Sequence, residues 1–121
     1  MLACVLHHIE PDERRQWIKA IIKKLNTKGK IVVFEHNLIN PATKKIVKNP
    51  ENRADDINWM LKMSEIEKIL LCDDSIKLVW KGYTLFSPLR PPFMTYLERS
   101  LKWLPIGAQQ CVIVEKNKMP E

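Results

Sequence analysis

Residues 2–36, "LACVLHHIEPDERRQWIKAIIKKLNTKGKIVVFEH", decide the fold of this 121-residue chain. The run at 2–6 is apolar and reads as the end of a buried strand. Pro11 suits the first position of a helix, and Asp12 and Glu13 are acids that the positive helix end favours. Trp17, Ile18, Ile21, Ile22 and Leu25 recur at helical spacing and form one apolar face, with Arg14, Arg15, Lys19, Lys23 and Lys24 mostly opposite. Gly29 then stops the helix as a residue that tolerates the left-handed conformation. Residues 31–34 are uninterrupted and rich in β-branched side chains, the pattern of a strand covered on both faces in a parallel sheet. Strand, helix, glycine, strand is one βαβ unit, so the fold class is α/β.

The rest of the chain extends that unit. Asn40-Pro41 caps and starts a short helix, and Asn49-Pro50 ends it before a polar loop. Ser64 and Glu67 pair as a capping box ahead of a helix that ends near Cys72. "SIKLVWKGYTLFSP" (75–88) reads as a strand, with Ile76, Leu78 and Trp80 alternating and a bend at Gly82. Phe93, Leu97, Leu101 and Leu104 recur at helical spacing, and "AQQCVIVEK" (108–116) is the last strand.

Bulk properties narrow the class. With 45% hydrophobic and 28% charged residues the chain is globular rather than disordered, and residues 1–121 form one domain. A net charge of +6 favours acidic partners weakly. The basic residues of the first helix, with Lys44, Lys45 and Lys48, are interleaved with acids and few aromatics, so they read as a solvated face and nucleic acid is not expected as a partner. Cys4, Cys72 and Cys111 are odd in number and lie in apolar runs without a Cys-x-x-Cys pair. Reduced thiols in a cytoplasmic protein are the simplest reading. Met1 to Ile9 lacks the basic start and the cleavage site of a signal peptide, and no run approaches the roughly 18 apolar residues of a membrane span. Trp17, Trp59, Trp80 and Trp103 are expected as core or helix-packing residues.

"VLHHI", "KKLNTKGK" and "IVVFEHN", followed by "YTLFSP" and "LKWLPIGAQQCVIVEK", resemble class I S-adenosylmethionine-dependent methyltransferases over essentially the whole chain. The match is to the C-terminal half of that domain. It implies a partial Rossmann-like fold: a mixed four-stranded sheet holding strands four to seven in the order 4-5-7-6, the last antiparallel, with helices on both faces. The departure is as informative. Gly29, Gly82 and Gly107 stand singly, so the glycine-rich loop that binds the cofactor is not in these residues. The resemblance therefore implies the acceptor-side part of an incomplete domain. Its reaction would be methyl transfer to a small-molecule acceptor, with little activity and doubtful S-adenosylmethionine binding by this chain alone. The alternative is a noncatalytic remnant acting as an interaction or regulatory module. In either case the apolar first strand would lie at an exposed edge, and a chain with such an edge is expected to be marginally stable, to self-associate, or to recruit a partner strand.

Candidate site residues follow from the strand ends. His7 and His8 lie just past the carboxyl end of a parallel strand, where ligands bind in open α/β sheets. They and Glu35 are the candidates for catalytic proton transfer, and the resemblance adds Ala3 and His7 as cofactor contacts. The competing reading packs one histidine and leaves the other solvated. His36, Asn37 and Tyr83, with Ser87 and Gln109 as weaker members, would face the acceptor. Otherwise Asn37 and Asn40 serve as surface polar groups and helix caps, and the strand tyrosine packs. No metal is expected, because adjacent histidines on a turn often point apart and no His-x-x-x-His spacing occurs.

Overall fold

The computed structural model describes residues 1–52, 55–84 and 92–117. Among these residues four strands, β1 (Leu2–Ala3), β2 (Lys30–His36), β3 (Ile76–Thr84) and β4 (Gln109–Lys116), form one mixed sheet in the order β1-β2-β4-β3. β1 runs parallel to β2, whereas β4 is antiparallel to both of its neighbours. Among the described residues four helices flank the sheet: α1 (Arg14–Lys24), α2 (Pro41–Val47), α3 (Met63–Leu70) and α4 (Pro92–Ser100). The chain is thus α/β, with helix α1 linking the parallel pair.

Strand alternation sets the core. Ile31 and Val33 on β2 are buried on the same side as Val112 and Val114 on β4, which lie opposite them in register. Ile18 and Ile22 of α1 and Ile66 and Leu70 of α3 close over that side. The opposite side holds Val32, Phe34, Ile113 and Trp80, all only half-buried, so the expected burial of β2 on both faces holds for one face.

Local geometry corrects several expectations. The first strand stops at Ala3, because Cys4 adopts φ 53° and turns the chain into a 3-10 turn, Leu6–His8. α1 begins at Arg14, later than Pro11 suggested, which turns Arg14 inward rather than to solvent. Its guanidinium donates to Ile9 O at 3.0 Å and Trp59 O at 2.7 Å, tying the turn after β1 to a second 3-10 turn, Ile57–Trp59. The left-handed residue after α1 is Lys28, φ 61°, not Gly29. Gly29 is needed for close approach instead, since a Cβ there would meet Asn26 O at 2.7 Å.

Asn40 caps α2, its Oδ1 accepting from Thr43 N at 3.0 Å. α3 starts earlier than the Ser64–Glu67 pair implied: Lys62 is its N-cap, and Glu65 Oε2 accepts from Lys62 N at 2.6 Å. Glu67 binds Lys81 Nζ instead, at 2.9 Å. In β3 an irregularity between Leu78 and Trp80 puts these two residues on opposite faces, so their alternation is broken. α4 ends at Ser100 and leaves Phe93 64% and Leu97 41% exposed, which removes its expected apolar stripe from the core. Trp17 and Trp103 are likewise exposed rather than packed inside.

The core assignment has a measurable consequence. Ile18→Ala should lower the unfolding free energy by about 2–5 kcal/mol, the range for truncating a buried aliphatic side chain. Lys19→Ala, one residue on and exposed, should stay within about 0.5 kcal/mol. Urea titration followed by circular dichroism measures both.

Candidate functional site

The alternation that buries Ile31 and Val33 also points Glu35 inward, at the carboxyl end of β2. Its carboxylate is 1% exposed. An anion so placed is tolerated only when its lone pairs are occupied, and here they are. Oε1 accepts from the backbone N–H of Val5 at 3.1 Å and of Leu6 at 2.7 Å. Oε2 faces His7 Nδ1 at 2.5 Å. The other ring nitrogen, His7 Nε2, lies 2.9 Å from Asp55 Oδ1. His7 therefore bridges two carboxylates, and with both carboxylates ionised the two contacts are both hydrogen bonds when the ring carries both protons. Burial opposes that charge, but the hydrogen bonds and charges of Glu35 and Asp55 outweigh it and raise the His7 pKa above its ordinary value. A hydrogen bond from Asn52 and another from His7 hold Asp55 below the usual carboxylate range, against a smaller opposing effect of burial. The nearby Cys4 thiol is pushed up by its burial and by the charges of Glu35 and Asp55, so it is a poor nucleophile.

His8 is the accessible member of the cluster. Its side chain is 49% exposed and its Nε2 sits 3.7 Å from Asp55 Oδ1. The His7 and His8 rings are 4.1 Å apart, and the His36 ring lies 5.3 Å from that of His7. The adjacent histidines do not point apart, as their place on a turn suggested. The 3-10 turn brings both to the same carboxylate, and the ligand atoms of His7, His8 and Asp55 all lie within 4.8 Å of one another. A cavity of about 540 Å³ opens over this cluster, lined also by Lys48, Asn49, Asn52, Asp56, Ile57 and Trp59.

The remaining candidates divide. Asn37 and Tyr83 meet in a second cavity of about 620 Å³ with Leu38, Ile57, Met60, Leu61, Met63 and Gln110. Asn37 is buried rather than a surface polar group, and its side chain is committed to the fold: Nδ2 donates to Pro105 O at 3.0 Å and Gly107 O at 2.7 Å. His36 lines neither cavity, and Ala3 sits exposed on the edge strand away from both. Gln109 pairs with His36 and Thr84 in the ladder, and Ser87 lies outside the described residues. Asp55, Asn52 and Gln110 are site residues that sequence reasoning missed. The two adjacent acids in the polar loop, Asp55 and Asp56, were the only local sign.

No protein-family model matches this chain, and neither a curated protein nor a solved structure matches it significantly.

Because the folded pKa of His7 is raised, the stability it contributes is complete below its unfolded value, about pH 6.5, and is lost as pH rises through the folded value. Urea midpoints taken in EDTA should fall across that window. Glu35→Gln breaks a buried pair, so it should cost about 3–5 kcal/mol and flatten the pH dependence. A midpoint that stays level with pH in the unsubstituted chain would contradict the imidazolium assignment.

Proposed function

We propose that this chain is the acceptor-side part of a class I S-adenosylmethionine-dependent methyltransferase acting on a small molecule. The observation that carries the reading is the sheet: β1-β2-β4-β3 with β4 antiparallel is the order a chain holding strands four to seven would have. The carboxyl ends of its parallel pair converge on the polar cluster and its cavity, the place where open α/β sheets hold ligands. In this reading β1 and β2 are strands four and five, and the acceptor lies over His8.

In this reading the three proton-transfer candidates have different roles. His8 is exposed to the cavity and takes the acceptor proton. Glu35 is sealed from the cavity and acts through His7, fixing the ring and the turn on which His8 is mounted. Methyl transfer by in-line displacement depends heavily on such positioning. The glycine-rich cofactor loop is not among these residues, so cofactor affinity is weak, with a dissociation constant above the micromolar range. The free thiols of Cys4, Cys72 and Cys111 suit a reducing compartment, and we place the protein in the cytoplasm. Among the described residues no helix is long and apolar enough to cross a membrane.

Titration of the ¹⁵N-labelled chain with S-adenosylhomocysteine tests the reading. Amide shifts should gather at residues 3–8 and 35–37. Shifts scattered over the chain, or none at millimolar ligand, would count against it.

A second reading, an interaction module, is favoured by the edge of the sheet. Among the described residues β1 pairs with β2 alone, leaving its outer side open to a partner strand. Sedimentation over a concentration series should then show reversible association. A monomer at every concentration would remove this reading for the isolated chain.

A further inference from the structure

We propose that His7, His8 and Asp55 form a zinc site, with His7 Nε2, His8 Nε2 and an Asp55 carboxylate oxygen as ligands and a fourth position open to the cavity. The inference does not rest on the methyltransferase reading: with zinc bound, His8 Nε2 is a ligand with no free lone pair, so the role of His8 as proton acceptor belongs to the metal-free chain. It rests on the spacing of three donors and on the groups behind them.

Zinc binds imidazole nitrogen and carboxylate oxygen at about 2.0–2.2 Å, so two ligands of a tetrahedral ion lie roughly 3.3–3.5 Å apart. The observed separations straddle that value: 2.9 Å from His7 Nε2 to Asp55 Oδ1 and 3.7 Å from His8 Nε2 to the same oxygen. Small side-chain rotations make room for an ion. His8 is half-exposed, and Asp55 can keep its Asn52 hydrogen bond through Oδ2 while Oδ1 exchanges the His7 proton for the ion.

The supporting groups are already in place. Ligating histidines generally present their second nitrogen to a carboxylate, which fixes the ring and strengthens the ligand. Glu35 does this for His7, at 2.5 Å from Nδ1, and is itself anchored by two backbone N–H groups. Asp55 Oδ2 accepts from Asn52 Nδ2 at 3.0 Å, leaving Oδ1 for the ion. On metal binding the Nε2 proton of His7 passes to solvent and the Nδ1 proton stays on the Glu35 side. Two imidazoles and one carboxylate suit zinc, whereas calcium and magnesium prefer oxygen ligands alone. Three protein ligands with an open position facing a cavity is the arrangement of a catalytic zinc centre rather than a closed structural one. A water there would be activated toward hydroxide.

The test uses the tag-free 121-residue chain. Cobalt chloride is titrated in and followed by visible absorption, then displaced with zinc chloride. One equivalent should bind with the intense d–d bands of a four-coordinate cobalt ion, and zinc should remove them. His8→Ala, at an exposed position, and Asp55→Asn should each weaken both metals at least about tenfold, while Cys72→Ser should bind as the unsubstituted chain does. Circular dichroism checks that each variant is folded; should Asp55→Asn unfold, His8→Ala decides alone. Absence of binding to the folded chain, or undiminished affinity in His8→Ala, overturns the zinc site and leaves the cofactor titration unaffected.

Discussion

One buried carboxylate organises the end of the sheet where the site lies. Glu35 is carried inward by the alternation of β2, and a carboxylate buried there needs hydrogen-bond partners for its oxygens. Its partners are the N–H groups of Val5 and Leu6 and the ring of His7. Those three groups can reach it only if the chain leaves the strand pattern directly after Ala3. The left-handed Cys4 and the 3-10 turn Leu6–His8 make that departure. The short first strand, the turn and the presentation of both histidines are therefore one solution to one electrostatic constraint.

The same end of the sheet is polar across its width. Gln110 lies opposite Glu35 in the ladder and donates to His36 O at 3.0 Å and Leu61 O at 2.6 Å. Asn37 holds the segment that leads into β4, through Pro105 O and Gly107 O. Arg14 joins the turn after β1 to the turn at Ile57–Trp59. Ile57 lines both cavities, so that turn is a wall between them. The apolar core includes Leu6 and Leu61 at this end and extends to Ile22, Ile31, Val114 and Ile76. An apolar body with a hydrogen-bonded polar end gives the cluster a rigid mount, which any chemistry at His8 requires.

Much of the architecture was legible because strands and helices write their periods into the sequence. The apolar run at 31–34, the face of Ile18 and Ile22, and the Asn40-Pro41 cap all appear where their patterns put them. The misreadings share a cause: local patterns yielded to long-range partners. Arg14 looked solvated from its charge, but two carbonyls at the helix start take its guanidinium inside. Ser64 looked like a cap, but Glu65 reaches Lys62 N first. Leu78 and Trp80 looked like one face, but the irregularity between them turns the second away.

The sequence by itself determined that this is an α/β chain with a βαβ start, and that His7, His8 and Glu35 gather at the carboxyl ends of parallel strands. Both conclusions follow from periodicity and connection rules, which act over short distances. Only the tertiary structure decided that Asp55 closes on His7 across 48 residues, that Glu35 is a buried anchor and that His8 is the accessible imidazole. Asn37 became a strut in the same way. These depend on where a loop folds back and on which polar groups lose water, and neither is encoded in any local spacing.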